Sequence, residues 1–202
     1  MIRIGLLSLL TRFSRNERGV AAVEFALIMP VLLLLYFGSM EASMLFTADK
    51  RVNTISATVG DLVAQSDPSK VIDQATMTTY FAAATGIMTP YSATGLKQVL
   101  SLVFVKSDGT TKVLWSIQNG GGTIRTVGQP YTPLPTTSTT DSVSRGGCVV
   151  AAEASYTYLP LFGQVFKSAL TLSHVNYFVP RFGATGVIQL WSDKPATTAC
   201  TS

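Results

Sequence analysis

The sequence predicts an α+β fold: a long N-terminal helix, a second helix, and then an antiparallel sheet of four strands or so. Three observations carry this expectation. No side chain from Phe25 to Met40 is charged, a length and composition that suit a membrane-spanning helix. Apolar residues beyond that run recur at helical spacing. From Lys97 onward the chain becomes rich in β-branched and aromatic residues, punctuated by glycine, proline and short polar turns.

The first helix is read from Val20 to about Gln65. At 1.5 Å rise per residue, Val20 to Phe46 spans about 40 Å, enough to cross a hydrocarbon core of about 30 Å. Pro30 lies inside this segment, where it removes one backbone hydrogen bond and favours a kink, and Gly38 is a second soft point. Past Phe46 the pattern turns amphipathic. Val52, Ile55, Val59, Leu62 and Val63 share one face, with Asp49, Lys50, Asn53, Asp61 and Gln65 elsewhere on the surface. The lower half is thus expected in lipid, and the upper half against a folded domain.

Asp67-Pro68 is read as a cap and a first-turn proline. They open a second helix over about Ser69–Met88, burying Val71, Ile72, Ala75, Tyr80, Phe81, Ala84 and Ile87, with Thr89-Pro90 as its end. Val99–Lys106 and the alternating Val113, Trp115 and Ile117 form a hairpin about the turn Ser107-Asp108-Gly109-Thr110. Residues 119–146, with Asn119-Gly-Gly-Gly122 and the Pro/Thr/Ser-rich 128–144, are expected to be loop and the most mobile part. Cys148–Leu159 is a third strand, with Val150, Ala152, Ala154, Tyr156 and Tyr158 on one face and Glu153, Ser155 and Thr157 on the other. A turn at Pro160-Leu161-Phe162-Gly163 leads to a fourth strand, Lys167–Val179.

The net charge of +4 is unevenly placed. Arg3, Arg12, Arg15 and Arg18 against Glu17 give the first nineteen residues +3 of it. The remainder is nearly neutral, with no basic cluster larger than Lys50-Arg51, which argues against a nucleic-acid partner. The basic leader instead sets orientation, with the N-terminus cytoplasmic and residues 47–202 across the membrane. The leader's Ile2, Ile4, Leu6, Leu7, Leu9, Leu10 and Phe13 would let it lie on the membrane surface. Tyr36–Asp49 offers no small-x-small site for an ordinary signal peptidase, so the span is expected to stay attached.

Glu24 is the residue in this segment that asks for a reason. A carboxylate costs about 2.5–3.5 kcal/mol at mid-membrane depth, and less near the interface. Gly19, four intervening residues, Glu24 and the aromatic Phe25 resemble the processing site of prepilins. The longer string Arg18-Gly-Val-Ala-Ala-Val-Glu-Phe-Ala-Leu-Ile-Met-Pro30 resembles the TadE/TadG-like pilus assembly proteins of the tight-adherence (Tad, or Flp) pilus. Tyr156–Phe162, and Leu170-Thr-Leu-Ser with Pro180-Arg181-Phe182, resemble that family's C-terminal half.

The resemblance implies a pilin-like lollipop and a prepilin peptidase that cuts between Gly19 and Val20, so that 1–19 is a cytoplasmic leader and 20–46 the transmembrane helix. Glu24 would then pair with the new α-amino group of Val20, on its own chain or on a neighbouring subunit. Each buried charge is expensive alone, and pairing offsets much of that when the geometry is good. The implied partners are the peptidase, other Tad pilins or pseudopilins, the inner-membrane assembly platform and the membrane itself. The implied location is the bacterial inner membrane, with a periplasmic C-terminal domain and passage to the pilus or cell surface on assembly. The competing reading of the same residues is an uncut anchor in which Glu24 snorkels to the headgroups.

Cys148 and Cys200 would both lie outside the cytoplasm, where disulfides persist. Joined, they staple the tail Gly183–Ser202 to the third strand and close a loop of about 50 residues, worth about 4 kcal/mol in the chain-entropy picture; the alternative is two free thiols. The residues give no sign of an enzyme. The single histidine, His174, falls mid-strand and reads as structural. Nothing resembles a nucleophile elbow, a phosphate loop or a metal-ligand cluster, so no cofactor or small-molecule substrate is expected. Asp141-Ser142-Val143-Ser144 lacks the Asp-x-Ser-x-Ser spacing of the metal-dependent adhesion domain found in longer relatives. Glu24 and Glu41 are about 25 Å apart along a helix, too far to act as an acid/base pair.

Two functions therefore stand. One is a minor pilin or pseudopilin. The other is an uncut, signal-anchored adhesin-like binding module, using Tyr91, Trp115, Tyr131 and Trp191 to recognise a surface or a glycan.

Overall fold

The computed structural model describes residues 19–134, 145–160, 168–182, 187–191 and 200. The arginine-rich leader up to residue 18 lies outside them. So do 135–144 with the Asp141 motif, Leu161-Phe162-Gly163 and Lys167, and most of the tail after Trp191.

The first helix, α1, runs from Val20 to Ala64 and contains Pro30 without interruption. It belongs to two compact units. Residues 1–44 with 160–168 form one; 45–159 with 169–202 form the other.

In the second unit α1 buries the expected Val52, Ile55, Val59 and Val63 and also Ala48, while Leu62 is only half-buried. Its last turn is closed by the backbone N–H of Arg181, which donates to the Ala64 carbonyl at 2.9 Å. The Arg181 guanidinium also donates to Asp61 Oδ1 at 2.6 Å.

The second helix, α2, is shorter than the sequence suggested, covering Gln74–Gly86. The expected cap at Asp67 is corrected to Asp73. Asp67 takes the N–H and hydroxyl of Ser69, two residues on, which makes a local turn. Asp73 takes the N–H of Thr76, three residues on, which is what a helix N-cap requires. Val71–Ile72, expected in the helix, instead form a two-residue strand β1 that pairs in parallel with β6, Gln189–Leu190. The buried face of α2 is Met77, Phe81 and Ala84, a one-sided i, i+4, i+7 set that replaces the expected Ala75 and Tyr80. The following Thr89–Pro90 bond is cis.

The main sheet has the order β3-β2-β4-β5, all antiparallel. Its strands are β2 (Lys97–Val105), β3 (Thr111–Asn119), β4 (Gly147–Tyr158) and β5 (Leu170–Phe178). The β2–β3 hairpin turns where expected, with Asp108 Oδ1 accepting from the Thr110 N–H at 2.8 Å. A bulge between Leu102 and Val103 shifts the β2–β3 register. Central strand β2 is buried along both faces from Gln98 to Val105.

Even-numbered residues of β2, β4 and β5 face the helices. Gly60 of α1 packs closely on the sheet: a Cβ there would lie 2.5 Å from Phe178 Cε2 and 2.9 Å from Ala152 Cβ. Gln98 reaches α2 through Thr85 at 3.1 Å. On the opposite face, Val103, Val105, Val113, Val149 and Ala151 form a second apolar cluster with Tyr131 and Leu134. The segment expected to be loop therefore contributes two core residues. It leaves β3 at Gly120, whose positive φ and closeness to the Leu96 carbonyl leave no room for a side chain.

Candidate functional site

The start of α1 is the candidate site. Gly19 immediately precedes the helix and is exposed, and a Cβ built on it would meet nothing within 4 Å. Val20 and Glu24 are four residues apart on one helix face, about 6 Å along the axis. Both are exposed, as is every residue from Gly19 to Tyr36.

Thirteen large apolar side chains between Val20 and Met40 are exposed, Phe25 among them. Burial of such a side chain is worth about 1.5–3 kcal/mol. Leaving thirteen in water therefore forgoes on the order of 20 kcal/mol, more than the typical stability of about 5–15 kcal/mol of a whole domain. This half of α1 is made for a non-aqueous neighbour, and α1 is long and apolar enough to cross a membrane.

Residues 19–59 match the family model described as TadE-like protein. This stretch is similar to that family. The match opens at Gly19, takes in the whole apolar half of α1, and ends within its amphipathic half, one residue before Gly60. No curated protein and no solved structure matches the chain.

Of the two glutamates that bracket the apolar run, Glu24 is exposed and Glu41 is fully buried. Sequence spacing treats them alike, and only the surroundings of each distinguish them.

The remaining candidate residues lie in the second unit. Cys148, buried near the start of β4, is disulfide-bonded to Cys200, with Cα atoms 5.4 Å apart. His174 Nε2 is 2.7 Å from Asp49 Oδ1, joining β5 to α1, and Asn176 continues that seam with bonds to Asn53 and Ser56. The four aromatics considered for ligand recognition do not form one face. Trp115 is 1% exposed and donates its indole N–H to the Ile188 carbonyl at 2.8 Å; Tyr131 is 2% exposed. Only Tyr91 and Trp191 are partly accessible. Alternation along β3 pointed Trp115 inward, but the burial of Tyr131 had no periodic signal in its Pro/Thr-rich surroundings.

Sequence reasoning missed one polar cluster. Arg125 grips Glu153 with two donors, Nε to Oε1 at 2.9 Å and Nη2 to Oε2. Tyr131 donates to the same Oε1 at 2.9 Å, and the Arg125 guanidinium lies over the Tyr131 ring, 5.6 Å from its centre. Burial and the Glu153 charge push the Tyr131 phenol well above its ordinary range, and the hydrogen bond to Glu153 holds Arg125 more firmly protonated. The arrangement pins residues 125–131 across the outer sheet face. It offers an ion pair reinforced by the Tyr131 hydroxyl. Among the described residues no three His, Cys, Asp or Glu side chains are grouped so as to hold a metal ion.

Proposed function

We propose that this protein is a minor pilin or pseudopilin of a tight-adherence pilus, with a structural rather than catalytic role. In this reading α1 anchors it in the bacterial inner membrane, and the β-rich unit lies on the periplasmic side. A prepilin peptidase removes residues 1–19, and the new Val20 amine and Glu24 then register the subunit against other pilins and the inner-membrane assembly platform. The observation that carries the reading is the exposed apolar stretch of α1 up to Tyr36, opened by Gly19 with Glu24 five residues beyond it, inside the segment that matches the TadE-like family model.

Mass and N-terminal sequence of the membrane-extracted protein from its native host test the processing step: the expected chain begins at Val20. A population beginning only at Met1, in cells with an active peptidase, would overturn it in favour of the uncut anchored binding module. Glu24→Ala tests registration. The variant should still be cut and remain in the membrane, yet fail to support piliation or to co-purify with other pilus subunits, with Glu24→Asp intermediate. Normal assembly of Glu24→Ala would leave the glutamate as a snorkelling residue only.

A further inference from the structure

Trp191 follows β6, and the pairing of Ile72 with Leu190 brings it to the first turn of α2. There it lines an open cavity of about 370 Å³, walled by α2, by Ser116–Asn119 at the end of β3 and by Ile124. All of these residues belong to the β-rich unit.

The two tryptophans of the chain meet different fates. Trp115 donates its indole N–H to the Ile188 carbonyl at 2.8 Å. Nε1 of Trp191 is also shut from water, yet it meets no acceptor. A buried donor left unpaired costs about 1–3 kcal/mol, so this one calls for an acceptor that the chain itself does not supply.

The walls define what can supply it. No lining side chain is charged, and a charged ligand would lose its hydration there without gaining a counter-charge. Met77 and Phe81 from α2 give apolar surface beside the Trp191 ring, with Ile124 at the rim, 52% exposed. The carboxamides of Gln74, Gln118 and Asn119 add groups that both donate and accept. Gln118 is held in place, its Oε1 accepting from the N–H groups of Gly121 and Gly122 at 2.8 and 3.1 Å, which leaves its NH2 to donate. A sugar ring has the matching features: a C–H face that lies against an aromatic ring, and hydroxyls around the edge that donate and accept. A purely apolar ligand would leave the indole N–H as it is. The volume lies in the lower part of the range of about 300–1,000 Å³ typical of small-molecule sites.

We propose that this cavity binds an uncharged sugar unit, with the ring against Trp191 and one of its oxygens accepting the Trp191 indole N–H. The site is built within the β-rich unit alone and adds recognition to the structural role.

The test uses the full chain, with nitrogen-15 in its tryptophans, in micelles of a detergent that has no sugar headgroup. Each of the two tryptophans gives one indole N–H signal, and Trp191→Phe assigns them. Methyl glucoside, methyl galactoside and N-acetylglucosamine are titrated in turn, with glucuronate as a charged comparator and cyclohexanol as an apolar one. At least one neutral sugar should move the Trp191 signal saturably and leave that of Trp115 in place, while neither comparator does so. Thr78→Phe, which fills the cavity from an exposed position of α2, should abolish the shift without changing the melt. Trp191→Phe, followed by saturation transfer to the sugar protons, should weaken binding about five- to tenfold, the worth of one neutral hydrogen bond. A Trp191 signal unmoved by every neutral sugar overturns the proposal, as does a shift that survives Thr78→Phe. Equal response to cyclohexanol or glucuronate, or unchanged affinity in Trp191→Phe, also overturns it. The Trp191→Phe arm decides if Thr78→Phe alters the melt.

Discussion

Residues 20–36 and 48–64 belong to one helix but meet different neighbours. The first stretch is apolar on every side apart from Glu24 and wholly exposed. The second is apolar along a single stripe and packs that stripe on a sheet. Both are α-helical, the first despite the donor missing at Pro30, so the difference lies in how the apolar residues are spaced. A helix that is apolar all round needs lipid or other protein, whereas a striped one needs a single partner face. The second stretch also carries polar ties that the first lacks, with Asp49, Asn53, Ser56 and Asp61 bonding to His174, Asn176 and Arg181.

The sharpest way to break that comparison is to truncate one apolar side chain in each half. Ile55→Ala should destabilise the folded unit by about 2–5 kcal/mol, because Ile55 is fully buried. Leu33→Ala should change the same thermal transition, followed through the Trp115 signal in detergent, by less than about 0.5 kcal/mol. Equal shifts would mean that both halves support the same core.

Cys200→Ser comes next. The disulfide spans 52 residues, and its loss should lower the stability of the β-rich unit by about 2–4 kcal/mol. Non-reducing peptide mapping of the parent chain should show the Cys148–Cys200 link, and two alkylatable thiols in freshly prepared protein would rule it out. Gly60→Val should cost about 1–3 kcal/mol, since Phe178 and Ala152 leave no room for its side chain. Ala22→Val, on the exposed part of the helix, should leave the melt unchanged.

The smallest expected effect is that of acid. Hydrogen bonds from Ser69, Thr76 and Thr110 hold the Asp67, Asp73 and Asp108 carboxyls below their ordinary value of 3.8. With the folded pKa lowered, their contribution is present above that ordinary value and is lost as pH falls through the folded one. A pH titration below 4 should therefore loosen the β-rich unit, seen in the Trp115 signal, while helix content from the apolar half persists. Retention of the Trp115 signal with loss of helix would reverse the assignment.

The sequence by itself determined the α+β class, the extent of α1, the hairpin about Asp108-Gly109 and the strand that begins near Cys148. Each is a local pattern, a period of 3.6 or 2 or a turn with its own chemistry, and needs no knowledge of distant residues. It also marked Gly19, Glu24 and Phe25, because a carboxylate at the head of an apolar run is conspicuous wherever the chain goes next. Tertiary structure decided the rest. Asp73 rather than Asp67 caps α2 because Val71–Ile72 are drawn into a strand by Gln189–Leu190, more than a hundred residues away. Arg125, Tyr131 and Glu153 meet across a loop and a strand with no shared period. Glu41 is buried and Glu24 exposed, although both border the same apolar run. Burial and pairing of this kind depend on which surfaces the folded chain brings together, and spacing along a single element holds no record of that.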